Sequence, residues 1–218
     1  MLVERSMDPG WLSNAYLVAD EEGGTAVYID SGAPLEPLRQ AAERWRVDAV
    51  AVLRTHSHHD HVANEDELGL PVRTDGFSAG GLRVEAVPTP GHSSDMVAFV
   101  LNEEAVFSGD TLFKDAVGGG DFGQIRSAVM DVYMAMPHER RVLPGHTDET
   151  TIGREWEHNP FVRVWRGAEP EGTERVRVGG REATLVVWSP DYDGKGKAPV
   201  RFSDGREAIV GGSKVERF

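Results

Sequence analysis

Apolar positions along residues 1–165 recur with two different periods. "NAYLVA" (14–19) and "TAVYID" (25–30) are short apolar runs parted by a glycine turn, which predicts a β-hairpin. "PLEPLRQAAERWR" (34–46) opens with prolines and spaces Leu35, Leu38, Ala42 and Trp45 along one helical face. "VDAVAVLRT" (47–55) predicts a buried strand, and "HVANEDELG" (61–69) a short helix closed by Gly69. Strands are expected at 82–89, 96–102 and 105–110, a helix over 122–136, and a strand and turn at 140–146. "TTIGREWEHNP" (150–160) reads as a helix with a capping threonine that stops before Pro160. This alternation predicts an α/β class with a sheet whose loops carry the chemistry.

The pattern changes near residue 167. "RGAEPEGTE" (166–174) is polar and linker-like. Only short β-type runs follow: "RVRV", "ATLVVW", "APVRF", "EAIV" and "KVERF". The expected organisation is a main domain over 1–167 and a small all-β appendage over 168–218. An appendage of that size is stable only when packed on the main domain.

Composition narrows the class. Hydrophobic residues make up 39% and charged residues 27%, as in an ordinary globular chain able to bury a core. No run approaches the ~20 apolar residues that span a bilayer. No cationic-then-apolar leader opens the chain. The chain contains no cysteine, which excludes disulfides, thiolate nucleophiles and Cys-ligated metals and fits a cytoplasmic protein. The formal charge of −13 opposes nucleic-acid or anionic-membrane partners.

The candidate chemistry sits after the apolar runs. His56, His58, Asp60 and His61 crowd the loop that follows the strand at 47–55; His92 lies in "TPGHSSD", Asp110 in "FSGDTLF" and His146 in "LPGHT". Each interval holds one or two elements, so all can return to the carboxyl edge of a sheet, where α/β proteins build sites. Imidazoles with carboxylates suit zinc, iron or manganese. Seven such groups exceed the needs of one tetrahedral ion, so two divalent ions are expected. A metal ion also keeps crowded imidazoles neutral by taking the lone pair that a proton would occupy. A single loop histidine is more often solvated than ligating, and His59, His138 and His158 are read that way.

His56-x-His58-x-Asp60-His61, followed in order by "TPGHSSD" (89–95), "SGDTLF" (108–113) and "LPGHTDETTIGREWEHNP" (143–160), resembles the metallo-β-lactamase superfamily and its glyoxalase II-like branch. The resemblance implies an αββα sandwich with a dinuclear centre of divalent ions, zinc first, with iron or manganese as substitutes. It assigns His56, His58 and His92 to one ion, Asp60, His61 and His146 to the other, and Asp110 to a bridge. Asp30 in "YIDSG" matches a position that steadies the histidine loop; an N-cap for the helix at 34 is an equally weighted reading, compatible with it.

Several departures steer the function. Asp110 stands where the commonest secreted zinc β-lactamases have cysteine. The C-terminus is β-like where glyoxalase II has a helical, glutathione-gripping region. The Gly-Arg-Thr-Asp run of many relatives is missing after "DTLF". Two cations of this kind generate hydroxide near neutral pH. The expected activity is therefore hydrolysis of a small-molecule thioester or ester, with Asp60 and Asp110 in the catalytic set. A mononuclear iron persulfide dioxygenase and a metal-binding module without turnover are the alternatives. "KDAVGGGDFG" (114–123) reads as a flexible connection, Phe113 as core, and Trp11 and Phe122 as either core or substrate-mouth residues.

Overall fold

Every residue of Asn14–Ala19 is buried, although side chains on a strand alternate between two faces. Both faces of this strand are therefore covered. In the computed structural model, which describes all 218 residues, β1 (Leu2–Met7), β2 (Asn14–Ala19), β3 (Thr25–Ile29), β4 (Asp48–Leu53) and β5 (Val72–Arg73) form one sheet in that order. The first three strands are antiparallel; β4 runs parallel to β3, the crossover being helix α1 (Glu36–Trp45). A second sheet carries β6 (Phe77–Ala79), β7 (Leu82–Pro88), β8 (Val97–Leu101) and β9 (Ala105–Gly109), with β12 (Arg141–Pro144) beside β9.

The chain divides into two units. The first is Met1–Pro88, Asp95–Gly109 and Leu143–Thr147; the second is Thr89–Ser94, Asp110–Val142 and Asp148–Phe218. In the first unit, Tyr16 and Val18 join Val27, Ile29 and Leu53 against Val84, Phe99, Leu101 and Phe107 of the second sheet. Ala15, Leu17 and Ala19 point the other way and pack with Tyr28 and Val52 on Leu38 and Ala41 of α1. Each large apolar side chain removed from water here contributes roughly 1.5–3 kcal/mol. The unit is thus helix on sheet on sheet. Two short helices, α2 (His59–Val62) and α3 (Glu65–Leu68), follow β4, with Gly69 closing α3 in the left-handed region. Strand β1 lies outside the elements that the apolar pattern predicts. It is an edge strand with one buried residue, so its sequence lacks the apolar signal.

In the second unit, β10 (Leu112–Phe113) pairs with β11 (Ala116–Val117). Helix α4 (Phe122–Ser127) is capped by the Asp121 side chain, then widens into a π turn at Ala128–Val132 and tightens at Tyr133–Ala135. The single helix expected over 122–136 has the right span but three hydrogen-bonding patterns. Strand β13 (Thr150–Thr151) pairs with the start of β12. Thr151 caps α5 (Ile152–His158) as expected, accepting from the Arg154 N–H at 3.2 Å. Asn159 then caps a further helix that the sequence pattern does not predict, α6 (Pro160–Trp165). The C-terminal runs form the expected all-β sheet from β14 (Glu174–Val178), β15 (Arg181–Leu185), β16 (Lys197–Phe202), β17 (Glu207–Gly211) and β18 (Val215–Arg217), in the order β17-β16-β15-β14-β18. Its apolar face gathers Val176, Val178, Leu185, Ala198 and Val200.

Candidate metal centre

The histidine loop is organised by one buried carboxylate. Asp30 directly follows β3 with φ of 55°, a left-handed conformation that Asp tolerates better than most residues. Its Oδ1 accepts from the Thr55 N–H at 2.8 Å, and its Oδ2 accepts from the Thr55 hydroxyl and from His61 Nδ1, each at 2.8 Å. The α1 N-cap is Leu35, with no side-chain bond, so the loop-steadying reading of Asp30 holds and the capping alternative does not. Because the Thr55 hydroxyl donates to Asp30, its oxygen is left to accept from His56 Nδ1 at 3.0 Å. Asp30 thereby fixes the protons of both His56 and His61 on Nδ1 and leaves each Nε2 with its lone pair.

Main-chain carbonyls do the same for the two later histidines. His146 Nδ1 donates to Leu12 O at 2.8 Å, and His92 Nδ1 donates to Gly119 O at 2.9 Å. A carbonyl only accepts, so the tautomer follows from the partner. Leu12 and Thr147, like Asp30, are non-glycine residues at positive φ. Backbone held in that region beside functional groups is a common sign of a shaped site.

In the first unit the structure brings together five of the expected residues. Asp60, His61 and His146 offer ligand atoms that all lie within 4.8 Å of one another. Asp60 Oδ2 is 3.7 Å from His61 Nε2 and 3.5 Å from His146 Nε2. His56 Nε2 lies 3.0 Å from His58 Nδ1. In the second unit His92 Nε2 stands 3.5 Å from Asp110 Oδ2. Nitrogen lone pairs that face carboxylate oxygens repel unless a cation lies between them. Separations of 3.5–3.7 Å are close to the edge, about 3.3 Å, of a tetrahedron whose metal–ligand bonds are about 2.0–2.1 Å. Two imidazoles and a carboxylate around one point suit zinc, iron or manganese, so the donor set fits a divalent transition metal. The Asp60 side chain is 28% exposed whereas His61 and His146 are buried, so this cluster is reached from the Asp60 side. An open side is what distinguishes catalytic from structural metal sites.

The second unit supports its two donors from beneath. Tyr133 is buried and hydrogen-bonds Thr89 and Thr111, which begin the His92 turn and follow Asp110. Burial pushes its phenol well above the ordinary tyrosine range, the two threonine bonds offsetting this only in part. "GGG" at 118–120 is no slack connection. A Cβ on Gly118 would lie 1.8 Å from Asp110 O, and one on Gly120, at φ of 145°, would lie 2.2 Å from Gly91 O. The segment is packed against both ligand-bearing turns, with Gly119 supplying the carbonyl to His92. Behind it, buried Glu155 accepts from Asp115 N at 2.8 Å, the Thr150 hydroxyl at 2.6 Å, Arg154 Nη1 at 2.8 Å and Asn159 Nδ2 at 3.0 Å.

Sequence reasoning misses the supporting groups, namely the Leu12 and Gly119 carbonyls, Thr55 and Glu155. Of these, only Glu155, with its neighbour Asn159, carries a visible signal, as a polar residue in a helix whose partners are unknown. His59 is exposed, as expected, and meets Trp11 edge-on at 5.1 Å. Phe113 is core, as expected, and Phe122 is buried as well.

These features have counterparts among known proteins. The family described as the metallo-beta-lactamase superfamily matches residues 8–69. The chain is 25% identical, over 67% of its length and 78% of the relative's, to a Bacillus velezensis protein named "Probable polyketide biosynthesis zinc-dependent hydrolase BaeB". It is 28% identical, over 61% of its length and 62% of the relative's, to a Schizosaccharomyces pombe protein named "Probable hydroxyacylglutathione hydrolase glo2". Among solved structures it resembles that of TTHA1623 in a di-iron-bound form, with a TM-score of 0.59 and 32% identity, covering 72% of this chain and 98% of that one. With two facing sheets, helix α1 packed on the first of them and its ordered histidine and aspartate groups, the chain belongs to the metallo-β-lactamase superfamily.

Proposed function

We propose that this chain is a metal-dependent hydrolase of thioesters or related small esters, with a centre of two divalent ions, zinc first and iron or manganese as substitutes. His56, His58 and His92 serve one ion, Asp60, His61 and His146 the other, and Asp110 both. The observation that carries the reading is the cluster of Asp60, His61 and His146, whose imidazoles are held by their outer nitrogens so that each Nε2 faces the same carboxylate. Among the remaining donors, His56 Nε2 lies 3.0 Å from His58 Nδ1, and His92 Nε2 lies 3.5 Å from Asp110 Oδ2. When bound, such ions supply a water acidic enough to ionise near neutral pH and an electrophile for a carbonyl oxygen.

The chain's own residues then have defined tasks. Asp30 holds two imidazoles in their ligating tautomers. Leu12 and Gly119 hold two more. Asp60 is a ligand first; being partly exposed, it is also the ligand carboxylate nearest solvent, and proton transfer is its secondary role. A thiolate leaving group needs little protonation, so one carboxylate in that place suffices. The glo2 and BaeB likenesses supply the hydrolase class, and the glo2 name adds a thioester of glutathione for that relative.

The test is elemental analysis of protein purified without chelators, paired with a panel of acyl-thioesters. Two equivalents of zinc or manganese with turnover are expected. Metal-free protein that stays inert after reconstitution refutes the proposal. The di-iron form of TTHA1623 gives a reason to keep iron in the assay. One equivalent of iron, with oxygen uptake on glutathione persulfide and no thioester cleavage, would instead establish sulfur oxidation.

A further inference from the structure

A groove of about 430 Å³ opens on the second unit, away from the clustered ligands in sequence, and is lined by Phe122 and Arg126 of α4, Met130 and Asp131 of the π turn, Trp165 ending α6, and Glu207 of β17. Its volume falls within the ~300–1,000 Å³ of small-molecule sites. Phe122 and Trp165 meet edge to face at 6.0 Å and 89°, and with Met130 they give the groove an apolar wall. A π turn inside a helix is rare and recurs at functional sites.

Its charges are unusual for this chain. Carboxylates outnumber lysines and arginines, and most arginines have taken one: Arg44 holds Glu4, Arg54 Glu65, Arg141 Glu149, Arg154 Asp115 and Arg163 Glu169. Arg126 is exposed on the groove and makes no ion pair or hydrogen bond. The carboxylate that feels its charge, Glu171, is gripped by two nitrogens of Arg201 at 2.7 and 3.0 Å. Glu207 is likewise held by Arg201, at 2.7 Å. Asp131 is exposed on the same groove and also has no partner. One free guanidinium and one free carboxylate thus share an apolar-walled groove without pairing with each other.

We propose that this groove binds a small zwitterion of dipeptide size, its carboxylate on Arg126, its ammonium on Asp131 and its apolar side chain on Phe122, Met130 and Trp165. Arginine is the side chain best shaped to grip a carboxylate through two parallel bonds. The binding does not depend on the hydrolase reading, because none of the six residues is a metal-ligand candidate.

Calorimetric titration of the purified protein with the dipeptide Leu-Phe tests this. Saturable binding is expected, weakened at least tenfold by amidating the C-terminus and at least tenfold by acetylating the N-terminus. Arg126→Met should lose the sensitivity to amidation, and Asp131→Asn the sensitivity to acetylation. Both side chains are exposed, so an unchanged melting temperature certifies the fold of each variant. No heat from wild-type protein at millimolar dipeptide overturns the proposal. So do equal binding of the blocked peptides, equal binding by the variants, or dependence on the carboxylate alone.

Discussion

Replacing Asp30 by Asn tests the orientation of the histidine loop with the smallest change of shape. Asn tolerates the left-handed backbone at this position, where φ is 55°, so the turn should survive. What changes is the pattern of donors and acceptors. Asp30 accepts three hydrogen bonds, from Thr55 N, Thr55 Oγ1 and His61 Nδ1, each at 2.8 Å. An amide has one oxygen. If it faces the Thr55 N–H, its NH2 confronts the proton on His61 Nδ1, and the ring relieves the conflict by moving that proton to Nε2, the atom that faces Asp60. If it faces His61, the buried Thr55 N–H loses its acceptor. The loss of a charge-assisted buried bond costs about 1.5–3 kcal/mol. Removing a supporting partner of a ligand histidine typically lowers metal affinity about 10–100-fold. Those two figures agree, since a tenfold change is about 1.4 kcal/mol. Competition against a chromophoric zinc chelator should therefore show the ion served by His61 weakened about 10–100-fold, while the metal-free variant still unfolds cooperatively. Affinity within twofold of wild type in a folded variant would refute the assignment of tautomers to Asp30.

Three further outcomes follow from contacts described above. Glu155→Ala strips four donors of a buried acceptor and should cost about 3 kcal/mol in urea unfolding, with Glu155→Gln intermediate; a loss below about 1 kcal/mol would contradict the network. Gly118→Ala forces a methyl to within 1.8 Å of Asp110 O and should destabilise by about 1–3 kcal/mol and reduce metal content, both read on the same purified protein. Asp20, although burial alone would raise it, is held below its ordinary pKa of 3.8 by the N–H groups of Gly81, Glu21 and Thr25. A lowered folded-state pKa adds stability above the unfolded value that fades as pH falls through the folded one. The stability gap between wild type and Asp20→Asn should accordingly be widest above pH ~5 and close toward pH ~2, and a gap that widens on acidification would reverse the sign.

The parts of this protein that are legible in its sequence are those with a periodic or chemically rare signal. The hairpin of β2 and β3 and the apolar face of α1 follow from side-chain spacing, and the Thr151 cap from its residue type. The ligand candidates stand out because four loops or turns carrying histidine or aspartate, at 56–61, 92, 110 and 146, each directly follow an apolar run. The supporting groups are hidden for a physical reason: every residue owns a carbonyl, and nothing in Leu12 or Gly119 marks the one that will face an imidazole. Glycine at 118–120 suggests slack because composition cannot separate a chain that moves from one with no room for a side chain. Helix α6 escapes the sequence pattern because Pro160 reads as a stop. Proline is equally suited to the first turn of a new helix, where its missing N–H costs nothing.

The bond from His146 to the carbonyl of Leu12 spans 134 positions of chain. During synthesis, the Asp60 and His61 donors emerge long before their third companion, and that companion is aimed correctly only once it has found the turn between β1 and β2, made near the start. A partly made chain therefore has loose imidazoles but no complete nest for a cation. Loading with metal becomes a late event, coupled to closure of the earliest segment onto one of the last strands of the sandwich, and any ion taken up before then has to be held by fewer donors and is readily surrendered.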